Sequence, residues 1–171
     1  MSDTEELAGT GPGPQRLRPA ALLGTLRDHQ VAFVIIGGYS LAAHGYVRAT
    51  KHIDIVPDPD PANLARLAAA LRDLEAQVTI GDMDRAERGI EPDEGGLGLG
   101  GNWVLHTRLG RLDVMQDVPG LRSYEQLRAG ALTVGAGLYA GYDELISMKA
   151  AAGREEDLRD IAALELARRD D

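Results

Sequence analysis

Two carboxylates in this sequence sit where carboxylates are costly. Asp54 lies between Ile53 and Ile55, and Asp113 between Leu112 and Val114. A carboxylate set among strand-like apolar residues must be paired, hydrated or bound to a cation. Two such acids on strands of one sheet can converge on Mg²⁺, a hard cation that prefers oxygen ligands. The other reading of Asp54 is a surface-facing side chain, because Lys51 and His52 beside it suggest a wet edge. His52 precedes Asp54 by two residues, so on a strand both face the same way, roughly 6–7 Å apart along the backbone. His52 therefore joins Asp54 and Asp113 as a candidate metal ligand.

A phosphate site is the second chemistry on offer. Gly37-Gly38 follows an apolar run and precedes a short helical stretch. Glycine lets the backbone approach a ligand closely, and free N–H groups at a helix start attract anions. A tight strand-to-helix turn would use the same two residues. Ser40 either caps that helix or touches a phosphate. Lys149, near the end of a later helix, could reach a triphosphate. Asp157 falls on one helical face with Ile161 and Leu164, and Arg154 three residues earlier suits a structural ion pair. The four histidines, His29, His44, His52 and His106, show no HExxH spacing. The segment Glu94 to Gly101, EGGLGLGG, lacks the Lys-Ser/Thr ending of a P-loop and is expected to be a mobile loop or wide hairpin turn.

The elements that must position these residues follow from periodicity. Residues 1–16, rich in Gly and Pro after Gly9, read as a disordered leader before a domain spanning 17–171. Leu17 to His29 is a predicted amphipathic helix, with Leu22, Leu23 and Leu26 at helical spacing. Val31 to Ile36 and His52 to Val56 are predicted strands flanking a short helix, Tyr39 to His44. Asp60 is placed to cap a helix that has Pro61 at its first position and Leu64, Leu67, Ala68 and Leu71 inside. A weaker strand is expected over Ala76 to Ile80. Asn102 to Thr107 and Arg111 to Gln116 should pair as a hairpin around Leu109-Gly110, with Arg111, Asp113 and Met115 on one face. A short helix (Ser123 to Arg128), a short strand (Ala131 to Val134) and a closing pair of helices (Tyr142 to Ala152 and Arg154 to Arg169) complete the chain. The expected fold class is α+β: a mixed sheet with helices packed against it and a C-terminal helical pair.

Composition narrows the class. With 18 basic and 27 acidic residues the net charge is −9, which argues against broad non-specific nucleic-acid binding. A local basic mouth from Arg48, Lys51 and Arg111 stays open. Aromatics make up 4% of the chain, so the core must be Leu, Val, Ile and Ala. The absence of cysteine excludes disulfides and thiolate zinc sites. No apolar run approaches the ~18 residues of a membrane span, and the acidic N-terminus is unlike a secretory signal. A soluble cytoplasmic protein with no membrane partner is expected.

Taken together, IIGGYSLAAHGYVRATKHIDIV resembles the signature of the nucleotidyltransferase superfamily with the polymerase-β-like fold. The nearest resemblance is to minimal nucleotidyltransferases that include AbiEii-type toxins of toxin–antitoxin systems. The matching residues are Gly37, Gly38, His44, Gly45, Arg48, Thr50 and Asp54, with Asp113 as a later-strand acid and Lys149, Arg154, Asp157 and Asp160 in the closing helices. The resemblance implies that Gly37, Gly38 and Ser40 hold the triphosphate of an NTP, with Lys149 on the phosphates. It implies that Asp54 and Asp113 are catalytic and carry Mg²⁺ or Mn²⁺ for transfer of NMP to a hydroxyl of tRNA, a protein or a small molecule, and that an antitoxin partner is possible. The sequence departs from the family where a first metal-binding Asp would stand: His52 is there. Imidazole is neutral and softer, and suits Mn²⁺ or Zn²⁺ better than Mg²⁺. The implied outcomes are an enzyme with weak or metal-shifted activity, or an impaired relative that binds a nucleotide or a partner.

Overall fold

The computed structural model describes residues 15–79 and 88–169. The expected leader up to residue 14, Ile80 and the first part of the glycine-rich stretch lie outside the described residues. Helix α1 (Pro19–Asp28) starts with proline at its first position and buries Leu22, Leu23 and Leu26. Strand β1 (Phe33–Ile36) is buried along its whole length, and α2 (Gly37–Ala43) follows without an intervening loop. Strand β2 (His52–Pro57) leads to α3 (Pro61–Asp73), where the Asp60 side chain accepts the N–H groups of Ala62 and Asn63. That satisfies two of the N–H groups a helix start leaves without partners. Strand β3 (Gln77–Val78) covers only part of the expected strand.

Strands β4 (Asn102–Thr107) and β5 (Gly110–Met115) form the expected hairpin, but its two-residue turn is Arg108-Leu109. Thr107 fixes it: its Oγ accepts the Leu109 N–H at 3.0 Å and donates to the Gly110 carbonyl at 2.7 Å. Beyond α5 (Tyr124–Ala129), capped by Ser123, a second hairpin joins β6 (Leu132–Val134) to β7 (Gly137–Tyr139). The pairing of β7 with β1 was not anticipated. The closing helices are α6 (Tyr142–Ala152) and α7 (Glu155–Arg169), with Gly153 in the left-handed conformation between them.

One segment corrects the expectation directly. Glu94–Gly98 is a short helix, α4, and not a hairpin turn or open loop. Asp93 accepts the Gly96 N–H at 2.8 Å, and Leu97 is fully buried. Gly96 packs so closely on the Glu91 carbonyl and the Trp103 ring that no side chain fits there. Tertiary contact outweighs the poor helix propensity of glycine.

The fold class is α+β, with seven strands in one mixed sheet ordered β3-β4-β5-β2-β1-β7-β6 among the described residues. The pairs β2–β5 and β1–β7 are parallel, and the others antiparallel. Alternation splits the core by face. Phe33, Ile35, Ile53, Ile55, Leu112 and Val114 pack under α1 and α3. Val34, Ile36 and Val56 pack with α5, α6 and Leu164 of α7. On the same face the polar residues His52 and Asp54 of β2 and Arg111 and Asp113 of β5 take the place of apolar ones.

Candidate functional site

The register of two parallel strands builds the site. β2 and β5 pair so that Asp54 lies beside Asp113 and His52 beside Arg111. All four project from the face opposite the Ile53, Ile55, Leu112 and Val114 core, because alternate strand residues share a face. The expected convergence of His52, Asp54 and Asp113 is therefore present: one ligand atom from each lies within 4.8 Å of the others. His52 Nε2 is 3.2 Å from Asp54 Oδ2 and 3.9 Å from Asp113 Oδ2.

Gly37 explains how Asp54 is accommodated. It adopts φ +66°, and the Asp54 carboxylate occupies the space a Cβ would need. Gly38 is held differently, with a Cβ position only 3.0 Å from Thr50 Oγ1. Thr50 in turn donates to the His52 carbonyl at 3.1 Å. The glycine pair thus closes the strand-to-helix turn over the acids, and both glycines also line the hollow in front of them.

That hollow has a volume of about 590 Å³. Its floor holds His52, Asp54 and Asp113, and Lys149 and Asp157 stand on the wall made by α6 and α7. Met115, Val118, Leu145 and Met148 supply an apolar side. Arg48, Lys51, Arg111 and Arg154 add cationic groups around it.

The charges are not all free. Arg111 Nε donates to Asp113 Oδ1 at 2.8 Å and Nη2 to Oδ2 at 2.7 Å, a two-pronged pair of high directional strength. Its hydrogen bond to Asp113 pushes the Arg111 pKa up. The hydrogen bond to Asp54 holds His52 above its ordinary pKa; burial opposes this, both carboxylates add to it, and Arg111 counters. A protonated His52 and Arg111 together balance the charges of Asp54 and Asp113.

Lys149 does not reach freely into the hollow. Its Nζ sits 2.7 Å from Asp160 and 3.1 Å from Asp157, both 1% exposed. Arg48 also turns to α7: Nη1 is 2.9 Å from Glu156, and Nη2 donates to Asp160 at 3.2 Å. Its Nε is 3.1 Å from Asp160 Oδ1 but not aligned for a hydrogen bond, so that contact is electrostatic. Arg154 bonds Asp157 through Nε at 2.7 Å, the ion pair expected from their spacing. Burial pushes the Asp157 carboxyl up, but the bonds from Arg154 and Lys149 reverse this and leave it below its ordinary value.

Ser40 departs from its expected role. It is fully buried, donates to the Ala140 carbonyl at 3.1 Å and does not line the hollow. The short helix α2 turns this residue toward Ala140, just after β7. His44 bonds the same carbonyl at 2.8 Å and His29 contacts Asp73, so both are structural. The Arg111 clamp on Asp113 was missed by sequence reasoning, although their shared face two residues apart on a strand is its signal.

The three candidate ligands lie close enough together that they could hold one divalent cation. Asp54 and Asp113 offer hard oxygens, His52 a nitrogen, and the Cβ-less face of Gly37 leaves Asp54 its room. A cation must share Asp113 with Arg111 and meet His52 in its neutral form. Mixed nitrogen and oxygen donors favour Mn²⁺ over Mg²⁺. No protein-family model matches the chain, and no curated protein matches it. Among the described residues no helix is long and apolar enough to cross a membrane.

Proposed function

We propose that the chain has a polymerase-β-like core and is an NTP-dependent nucleotidyltransferase. The observation that carries this reading is the Asp54–Asp113 register on parallel strands, with His52 beside it, at the floor of a hollow lined by Gly37-Gly38. Asp54, Asp113 and His52 would hold Mg²⁺ or Mn²⁺, which when bound would neutralise phosphate charge and lower the pKa of an acceptor hydroxyl. Lys51 is exposed at the rim and supplies a cation for the triphosphate. Arg111 fixes the rotamer of Asp113. Lys149, with Asp157 and Asp160, sets the position of the α6–α7 wall.

In the reaction an acceptor hydroxyl oxygen bonds to the α-phosphorus of the NTP. The bond from that phosphorus to the bridging oxygen breaks, and pyrophosphate leaves with the electron pair. Asp54, whose oxygens are not clamped by an arginine, takes the hydroxyl proton. The acceptor belongs to an RNA such as tRNA, a protein or a small molecule. Calorimetry of ATP, GTP, CTP and UTP with Mn²⁺ and then Mg²⁺ tests the binding, and transfer of α-phosphate label tests the chemistry. Asp54→Asn should abolish labelling; equal labelling by the variant and the wild type overturns the assignment.

A second reading, a catalytically impaired relative that binds a nucleotide or a partner, is favoured by one specific observation. His52 and Arg111 already engage the two acids, His52 at 3.2 Å from Asp54 and Arg111 through both oxygens of Asp113. Restoring an acid, His52→Asp, separates the two: a gain in transfer points to a site weakened in one ligand, and no gain with either metal favours the binding role.

A further inference from the structure

A second hollow of about 540 Å³ adjoins the first, and Thr50, Lys51 and Arg111 line both. Among the described residues no Asp or Glu lines it, although the chain carries a net charge of −9. Arg16, Lys51, His106 and Arg111 line it, and Tyr39 supplies the aromatic group. His106 and Arg111 are direct partners across the β4–β5 ladder, so they share a face. Among the described residues Arg16, Lys51 and His106 have no carboxylate partner.

The placement of Arg16 is built into the fold. The Arg18 N–H donates to the Leu109 carbonyl at 2.8 Å, which ties the segment before α1 to the β4–β5 turn. Gly110, at φ +114°, leaves room for this: a Cβ there would lie 2.6 Å from Leu17 Cα. Leu17 packs against the core, and Arg16 beside it lines the hollow.

We propose that this hollow binds the phosphate-bearing acceptor, a nucleotide or the end of a polynucleotide, on the far side of Thr50, Lys51 and Arg111 from the triphosphate. The inference rests on the nucleotidyltransferase reading and adds the chemical class of the acceptor. Arg16 and Lys51, charged and without a described carboxylate partner, favour phosphate oxygens, and an aromatic lining residue such as Tyr39 suits a base.

The test uses the full chain and two probes, a nucleoside 5′-monophosphate and a short single-stranded RNA, each titrated with Mn²⁺ present. Arg16→Glu and His106→Glu alter the second hollow without touching the first. Each should weaken probe binding by about tenfold or more while NTP affinity changes by less than about twofold. An unphosphorylated nucleoside should bind at least about tenfold more weakly than the monophosphate. Tighter binding of the RNA than of the monophosphate assigns a polynucleotide end, and the reverse a small acceptor. Probes that fail to bind, or that bind both variants as they bind the wild type, overturn the inference and leave the NTP reading standing. Probe binding that responds to the variants in a chain that binds no NTP overturns the transferase reading instead.

Discussion

Arg111 and Asp113 stand two residues apart on the same face of β5, and both oxygens of the carboxylate accept from the guanidinium. This pair fixes the orientation of Asp113, and it also places a positive charge where a metal would bind. The site is thus poised between ordering its ligand and repelling its cation. Arg111→Gln should raise Mn²⁺ affinity by about tenfold, since a like charge a few ångströms away is removed. Electron paramagnetic resonance of free Mn²⁺ during titration measures it. Unchanged or weaker affinity would mean that orientation of Asp113 matters more than charge.

His52→Asp acts on the same balance from the other side. It replaces a protonatable ring with a third carboxylate, so divalent-cation affinity should rise and the preference should move from Mn²⁺ toward Mg²⁺. Parallel titrations of the two metals on wild type and variant show whether the preference shifts. An unaltered ratio of affinities would place His52 outside the ligand set.

The raised pKa of His52 gives a stability signature in metal-free protein. Its partner Asp54 favours the charged ring in the folded state, so the folded pKa exceeds the unfolded value of about 6.5. The contribution is fully present below that unfolded value and fades as pH rises through the folded one. NMR titration of the ring should show the displaced pKa, and Asp54→Asn should bring it down. A ring that titrates at the ordinary value in wild type contradicts the contact.

Lys149 tests the wall. Lys149→Met leaves Asp157 and Asp160 buried with one cation fewer and should cost about 3–5 kcal/mol in urea unfolding. Arg154→Met, at a side chain 72% exposed, should cost less than about 1 kcal/mol. The depressed pKa of Asp157 sets the acid limit: stability it contributes is present above the unfolded value of about 3.9 and is lost as pH falls through the folded one. Equal losses for the two variants would deny Lys149 its central position.

Gly37→Ala combines a strained φ with a collision at the Asp54 carboxylate. A destabilisation of about 1–3 kcal/mol is expected, together with loss of Mn²⁺ binding as Asp54 is displaced. Gly45→Ala serves as the control, because Gly45 has a left-handed φ but nothing near its Cβ position. If both variants keep the metal, Gly37 has no part in seating Asp54.

The strands that carry the acids were legible because their apolar partners alternate: Ile53 and Ile55, Leu112 and Val114 lie on the core face and put Asp54 and Asp113 opposite. The Asp60-Pro61 helix start and the α6–α7 break at Gly153 were legible as local rules. What local rules miss is set by distant contacts. Helix α4 forms because Leu97 and Gly96 dock on the core beside Trp103. Three-residue β7 finds its place through pairing with β6 on one side and β1 on the other. Ser40 and Lys149 match a signature by spacing, yet their partners, Ala140 and Asp160, lie in other elements and decide where the side chains go.

The α6–α7 wall comes late in the chain, whereas the acids it faces come from β2 and β5. During synthesis on a ribosome, Asp54 and Asp113 would emerge well before Lys149, Asp157 and Asp160. A nascent chain can therefore pair its central strands while the binding chamber is still missing one side. The hollow is then complete only once α7 has joined α6, so a chain stopped before α7 would carry the acids yet lack that wall.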